Sequence, residues 1–143
     1  MEILIVDASV AAKWVLTEPE TAVALELLHG PHALAAPEHL RWEVASAITR
    51  RFRLGELSEE PARIVCHEWD AILSDGLVRL VPIDESSYHM AVDLAFRTRH
   101  ALLDCFYLAA ARLLGATLVT ADRTLYERAQ GVHERVTLLA KAA

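Results

Sequence analysis

Short unbroken runs of apolar residues alternate along this chain with longer stretches in which apolar positions return every three or four residues. The runs predict buried strands at Glu2–Val6, Thr117–Thr120 and Val136–Leu139, with two more strands closing at Ala35–Pro37 and Leu77–Pro82. The stretches between them predict helices over Glu38–Arg53, Ser58–Leu73, Glu85–Arg99 and Leu103–Leu114. Strand and helix alternate, so the pattern implies an α/β fold: a mostly parallel sheet covered by helices on both faces.

Gly30-Pro31, Gly55, Gly76 and Gly115 punctuate the periodic segments without forming a phosphate-binding glycine loop. Ser58-Glu59-Glu60-Pro61 reads as a helix start, since a hydroxyl cap and early acids suit exposed backbone N–H groups. With 143 residues, 54% of them hydrophobic, and no internal repeat or low-complexity linker, the expectation is one domain spanning residues 1–143.

A net charge of -6 argues against sequence-blind nucleic-acid binding through a strongly basic surface. It leaves room for a nuclease, because bound metal ions reverse the local potential that a phosphate meets. Cys66 and Cys105 are too few for a disulfide framework and read as free thiols in a reducing compartment. No basic flank precedes an apolar signal segment, and Asp7 interrupts the first hydrophobic run, so a soluble cytoplasmic protein without membrane association is expected.

Four acids stand where chemistry is possible. Asp7 ends the first strand and precedes a segment, from Ala8 to Trp14, that can begin a helix; it fits a helix cap as well as a functional carboxylate at the carboxyl end of a strand. Asp122 repeats that placement after Thr117–Thr120, and both acids enter one crevice if the strand order reverses between the two segments. Glu43 shares a helix face with Leu40 and Ala47, which asks for a compensating partner: a metal ion, or a salt bridge to a base such as Arg50. Asp104 lies near a helix start, where the dipole alone accounts for an acid. Ser9 and Thr120 suit either local backbone hydrogen bonds or the support of a carboxylate, and Ser46, three residues beyond Glu43, is a candidate to support the same site from that helix face. Carboxylate oxygens at such a cluster suit magnesium or manganese, which bind a scissile phosphate and orient or activate water.

At Val6-Asp7-Ala8-Ser9, Glu43-Val44-Ala45-Ser46-Ala47, Leu103-Asp104-Cys105-Phe106-Tyr107-Leu108-Ala109 and Val119-Thr120-Ala121-Asp122 the chain resembles the PIN-domain ribonucleases, especially VapC-type toxins of prokaryotic toxin–antitoxin pairs. The resemblance implies a three-layer α/β/α sandwich with strand order 3-2-1-4-5. It matches Asp7, Glu43, Asp104 and Asp122 to the family's catalytic, metal-holding acids, and Ser9 and Thr120 to supporting positions; Ser46 stands where many relatives have Asn. It further implies RNA hydrolysis by metal-activated water with Mg2+ or Mn2+, homodimerisation, and inhibition by a small cognate antitoxin. Lys13, Arg97 and Arg99 are candidates for phosphate binding beside their plain role as surface bases.

Two other readings stay open on the sequence: a PIN nuclease of RNA processing that is not a toxin, and a catalytically silent domain that binds protein through apolar helices. No His-Glu-x-x-His motif points to a zinc hydrolase, and Ser9 stands where a haloacid-dehalogenase motif needs a second Asp. The residues Trp14, Trp42, Trp69, Phe52, Phe96, Phe106 and Tyr107 are expected to pack in the core.

Overall fold

A computed structural model describes residues 2–142. The elements follow as β1 (Ile3–Val6), α1 (Ala8–Val15), α2 (Thr21–Leu28), β2 (Ala33–Pro37), α3 (Leu40–Arg53), α4 (Glu59–Ser74), β3 (Arg79–Val81), α5 (Glu85–Thr98), α6 (Leu102–Leu114), β4 (Thr117–Thr120), α7 (Arg123–Ala129) and β5 (Val136–Leu138), with a 3-10 turn at Leu139–Lys141. The expected strands and helices are all present, with ends displaced by a residue or two where the terminal turns fray. Ser58 stands at the cap of α4, but its hydroxyl makes no capping bond there.

All four ladders of the sheet are parallel, and the strand order is β3-β2-β1-β4-β5. The fold is an α/β three-layer sandwich. The chain runs outward from β1 through β2 to β3, then returns to lay β4 against the other side of β1. That reversal opens a crevice at the carboxyl ends of β1 and β4, where open α/β sheets commonly place ligands. Register sharpens the placement: Val6 pairs with Val119, so Asp7 and Thr120 follow side by side at the same edge.

Helix α6 packs on β1, β2 and β4 and also contacts α5, whereas α1 contacts α2, α3 and α4. Seven consecutive residues of α6, Cys105 to Ala111, are buried, which is the signature of a helix covered on every side. On α3 the stripe Leu40, Val44 and Ile48 faces inward at helical spacing. Trp42 lies two residues off that stripe and is 58% exposed; Phe96 stands likewise between buried Leu94 and Thr98 of α5 and is 82% exposed. Core use therefore holds for Trp14, Trp69, Phe106 and Tyr107 and fails for Trp42 and Phe96, which lie off the inward faces of their helices, and for Phe52, which stands in the exposed last turn of α3. Both cysteines are free, Cys105 buried and Cys66 half-buried.

Candidate active site

Asp7 is the most enclosed of the four acids. It leaves β1 in an extended conformation and caps α1, accepting from the Val10 amide at 3.2 Å. The Ser9 hydroxyl donates to Asp7 Oδ1 and the Thr120 hydroxyl to Asp7 Oδ2, each at 2.5 Å. These hydroxyls have their own donors: Ser9 Oγ accepts from the Ala121 amide at 2.9 Å, and Thr120 Oγ1 from the Asp122 amide at 3.0 Å. Each hydroxyl thus accepts a hydrogen bond from the loop after β4 and donates its own to Asp7, which fixes the carboxylate against both loops of the crevice. Burial pushes the Asp7 carboxyl up to about 6, against the hydrogen bonds from Ser9, Thr120 and Val10, and the charge of Asp104 adds to the rise.

Asp122 caps α7 with Oδ1, accepting from the amides of Thr124 at 2.9 Å and Leu125 at 3.2 Å. Its Oδ2 lies 3.8 Å from His100 Nε2. The same nitrogen lies 2.7 Å from Asp104 Oδ2, in the first turn of α6. Capping and a place in the cluster are therefore not alternatives for Asp122, because the two carboxylate oxygens divide the roles. His100, Asp104 and Asp122 form the one group among the described residues whose ligand atoms lie within 4.8 Å of one another in a metal-competent set. Arg128 Nη1 faces His100 Nδ1 at 3.3 Å. A guanidinium only donates, so in this arrangement Nδ1 accepts and the Nε2–H points to Asp104.

Glu43 is reached from a different direction. Its Oε1 accepts from the Tyr107 hydroxyl at 2.6 Å and lies 3.4 Å from His39 Nε2. These neighbours, rather than Arg50, answer the need of a half-buried acid for a partner. Burial holds the Tyr107 phenol far above its ordinary range, and the Glu43 carboxylate, then Asp7 and Asp104, push it the same way. Three acids from three elements thus act on one phenol.

The carboxylates are graded in depth. Asp7 is 4% exposed, whereas the Asp104 and Asp122 side chains are 35% and 36% exposed. Solvent and anything carried in it meet Asp104 and Asp122 first. As a donor set, carboxylates with one imidazole suit a hard or borderline divalent cation such as Mg2+ or Mn2+.

Residues 4–131 match the PIN domain. The chain belongs to the PIN-domain family. No curated protein matches the sequence significantly. Among solved structures, this PIN domain is similar to VapBC2 from Rickettsia felis, bound to a DNA fragment from its promoter (14% identity, TM-score 0.66, 95% of this chain and 96% of that one). It is also similar to a toxin–antitoxin complex from Klebsiella pneumoniae (16% identity, TM-score 0.64, covering 95% and 97%). The third is VapC20 of Mycobacterium tuberculosis, described as a sarcin-ricin loop cleaving toxin (17% identity, TM-score 0.64, covering 82% and 86%). At such identities the likeness is one of fold.

Within the PIN domain the structure brings Asp7, Asp104 and Asp122 to one edge of the sheet, with Ser9 and Thr120 between Asp7 and the β4 loop. Glu43 joins through Tyr107. Ser46 is exposed on α3, and its carbonyl accepts from the Thr49 hydroxyl at 3.2 Å. The candidate phosphate-binding bases are dispersed. Lys13 lies 3.6 Å from Glu18 and is largely buried, and Arg97 lies 3.6 Å from Asp93 on α5. Arg99 occupies the left-handed region at φ 59° as the cap of α5, and its carbonyl accepts from Arg128 at 3.0 Å.

Sequence reasoning missed His100, His39 and the role of Tyr107. A signal existed for two of them: His100 precedes Asp104, and His39 precedes Glu43, by four residues. Nothing local marks Tyr107, whose partner lies 64 residues away.

Proposed function

We propose that this PIN domain is a divalent-metal-dependent endoribonuclease, a VapC-type toxin held in check by a cognate antitoxin. One observation carries the reading: Asp7, Asp104 and Asp122 converge at the switch point of the sheet, with His100 between the two solvent-facing acids. Asp104 and Asp122 would hold Mg2+ or Mn2+, with Asp7 behind them and Glu43 beside them. When bound, such an ion supplies Lewis acidity toward a phosphodiester oxygen and toward water.

The residues of the chain do the rest. Ser9, Thr120 and the Val10 amide fix both oxygens of Asp7, so this carboxylate needs no reorganisation when a cation arrives. The capping bonds of Asp122 hold its second oxygen toward the cluster. The net charge of -6 concentrates cations rather than RNA, so substrate affinity rests on the loaded site and on bases beside it, with Arg99, next to His100, as the candidate.

Likeness in fold to toxin–antitoxin complexes supports the toxin role with an antitoxin partner, and a homodimer in the cytoplasm completes the proposal. No helix among the described residues is long and apolar enough to cross a membrane.

The test is cleavage of a structured RNA panel by purified protein with Mg2+ or Mn2+, beside Asp104→Asn and chelated controls. Metal-dependent cleavage that falls on the order of 100-fold or more in Asp104→Asn is expected. Undiminished cleavage by that variant contradicts the site. Growth arrest on expression, relieved by a neighbouring small gene product, separates a toxin from a processing nuclease. Folded protein that binds a partner and never cleaves RNA favours the silent binding domain.

A further inference from the structure

We infer that Tyr107, braced by His39, is a positioning residue that fixes Glu43 as a one-oxygen ligand of the metal site. The inference rests on the metal-dependent reading above and adds to it a residue outside the acidic set.

Tyr107 is fully buried in α6, three residues beyond Asp104 and so one turn along the same helix. Its hydroxyl spans to α3 and ends on Glu43 Oε1 at 2.6 Å. A buried tyrosine hydroxyl needs a partner, and a half-buried acid that also faces His39 at 3.4 Å is a costly choice of partner if packing is the sole purpose. The phenol carries its proton at any ordinary pH, so it donates permanently and Oε1 is committed. Among the described residues Glu43 Oε2 has no hydrogen-bond partner, which leaves it for a cation.

His39 holds the phenol in place. The two rings lie 4.5 Å apart at 33°, and Phe106 meets the other part of the imidazole at 5.4 Å. His39 Nε2 lies 2.8 Å from the carbonyl oxygen of Leu103. A carbonyl only accepts, so Nε2 carries the proton and Nδ1 a lone pair; that Nδ1 is buried without a partner. His39 therefore ties the start of α3 to the turn of α6 that bears Asp104, at the expense of its own second nitrogen. Glu43 and Asp104 are locked to each other through His39 and Tyr107 rather than by direct contact.

The experiment is Mn2+ binding, read by electron paramagnetic resonance of the free ion, in wild type, Tyr107→Phe, Glu43→Gln and the double variant. Tyr107→Phe keeps the ring stack and removes one oxygen. It is expected to weaken Mn2+ binding about 10-fold, within the range for residues that orient metal ligands. In the Glu43→Gln background the same change should have no further effect, because its target is gone. Ile48→Ala, a cavity variant on the same helix, should lower the melting temperature and leave Mn2+ affinity unchanged. Equal Mn2+ affinity in wild type and Tyr107→Phe overturns the inference alone. So does an undiminished Tyr107→Phe effect in the Glu43→Gln background, or an Ile48→Ala loss as large as that of Tyr107→Phe. A wild-type protein that takes up no Mn2+ overturns the metal-dependent reading as well.

Discussion

Thr120 donates its hydroxyl to Asp7 at 2.5 Å across 113 residues of sequence, and this bond clamps the two strands that open the crevice. Even with Ser9 and Val10 assisting, burial prevails and raises the Asp7 carboxyl from 3.8 to about 6. The folded value lies above the unfolded one, so between these limits the folded chain holds more protons than the unfolded chain. Stability from this group is present below 3.8 and is lost as pH rises through about 6. At about 1.4 kcal/mol per unit the loss is ~3 kcal/mol. Asp7→Asn cannot charge, so its stability relative to wild type should rise by that order between about pH 4 and about pH 7 in metal-free urea unfolding. A gap that stays constant with pH contradicts the buried, proton-binding Asp7.

The division of labour in Asp122 separates charge from capping. Asn caps a helix about as well as Asp but carries no charge, so Asp122→Asn should keep the stability of the fold and lose most metal-dependent cleavage. Asp122→Ala should lose the cleavage and, in addition, about 1 kcal/mol of stability. Denaturant titration beside an RNA cleavage assay resolves the two. Full cleavage by Asp122→Asn shows that the acid is a cap and nothing more.

The sheet was legible because its strands are buried on both faces, so Ile3–Val6 and Thr117–Thr120 read as apolar runs bounded by turn residues and an acid. The acids were legible for a related reason: parallel strands send every carboxyl end to one edge, so an Asp just after a strand announces its position. Glu43 shows where this ends. Its spacing revealed a half-buried acid, but its partners belong to another helix, and no sequence rule ties Tyr107 to it across 64 residues. Trp42 and Phe96 show a second gap, since their size read as core while their helical phase put them outside.

Arg99 tests stability against substrate binding. At φ 59° an L-residue carries a steric penalty that glycine does not, so Arg99→Gly should be more stable than wild type by up to ~1 kcal/mol. If the guanidinium contacts an RNA phosphate, the same variant should raise the KM for RNA and reduce the salt dependence of binding by about one charge, with Mn2+ affinity unchanged. Arg99→Lys should restore the salt slope and not the stability. Unaltered KM and salt slope in Arg99→Gly confine the residue to the helix cap.

His100 joins the two acids that meet solvent. Its side chain is 7% exposed, with Nε2 2.7 Å from Asp104 and 3.8 Å from Asp122 and Nδ1 held by Arg128. Removing it leaves two carboxylates facing each other with no donor between them to orient them. His100→Ala should therefore weaken Mn2+ binding between about 10-fold and 100-fold and slow cleavage in step, while His100→Gln, which keeps a donor for Asp104, should recover part of both. Calorimetric Mn2+ titration of the three proteins decides it. Affinity that follows wild type in His100→Ala removes His100 from the site and leaves the ion to the acids alone.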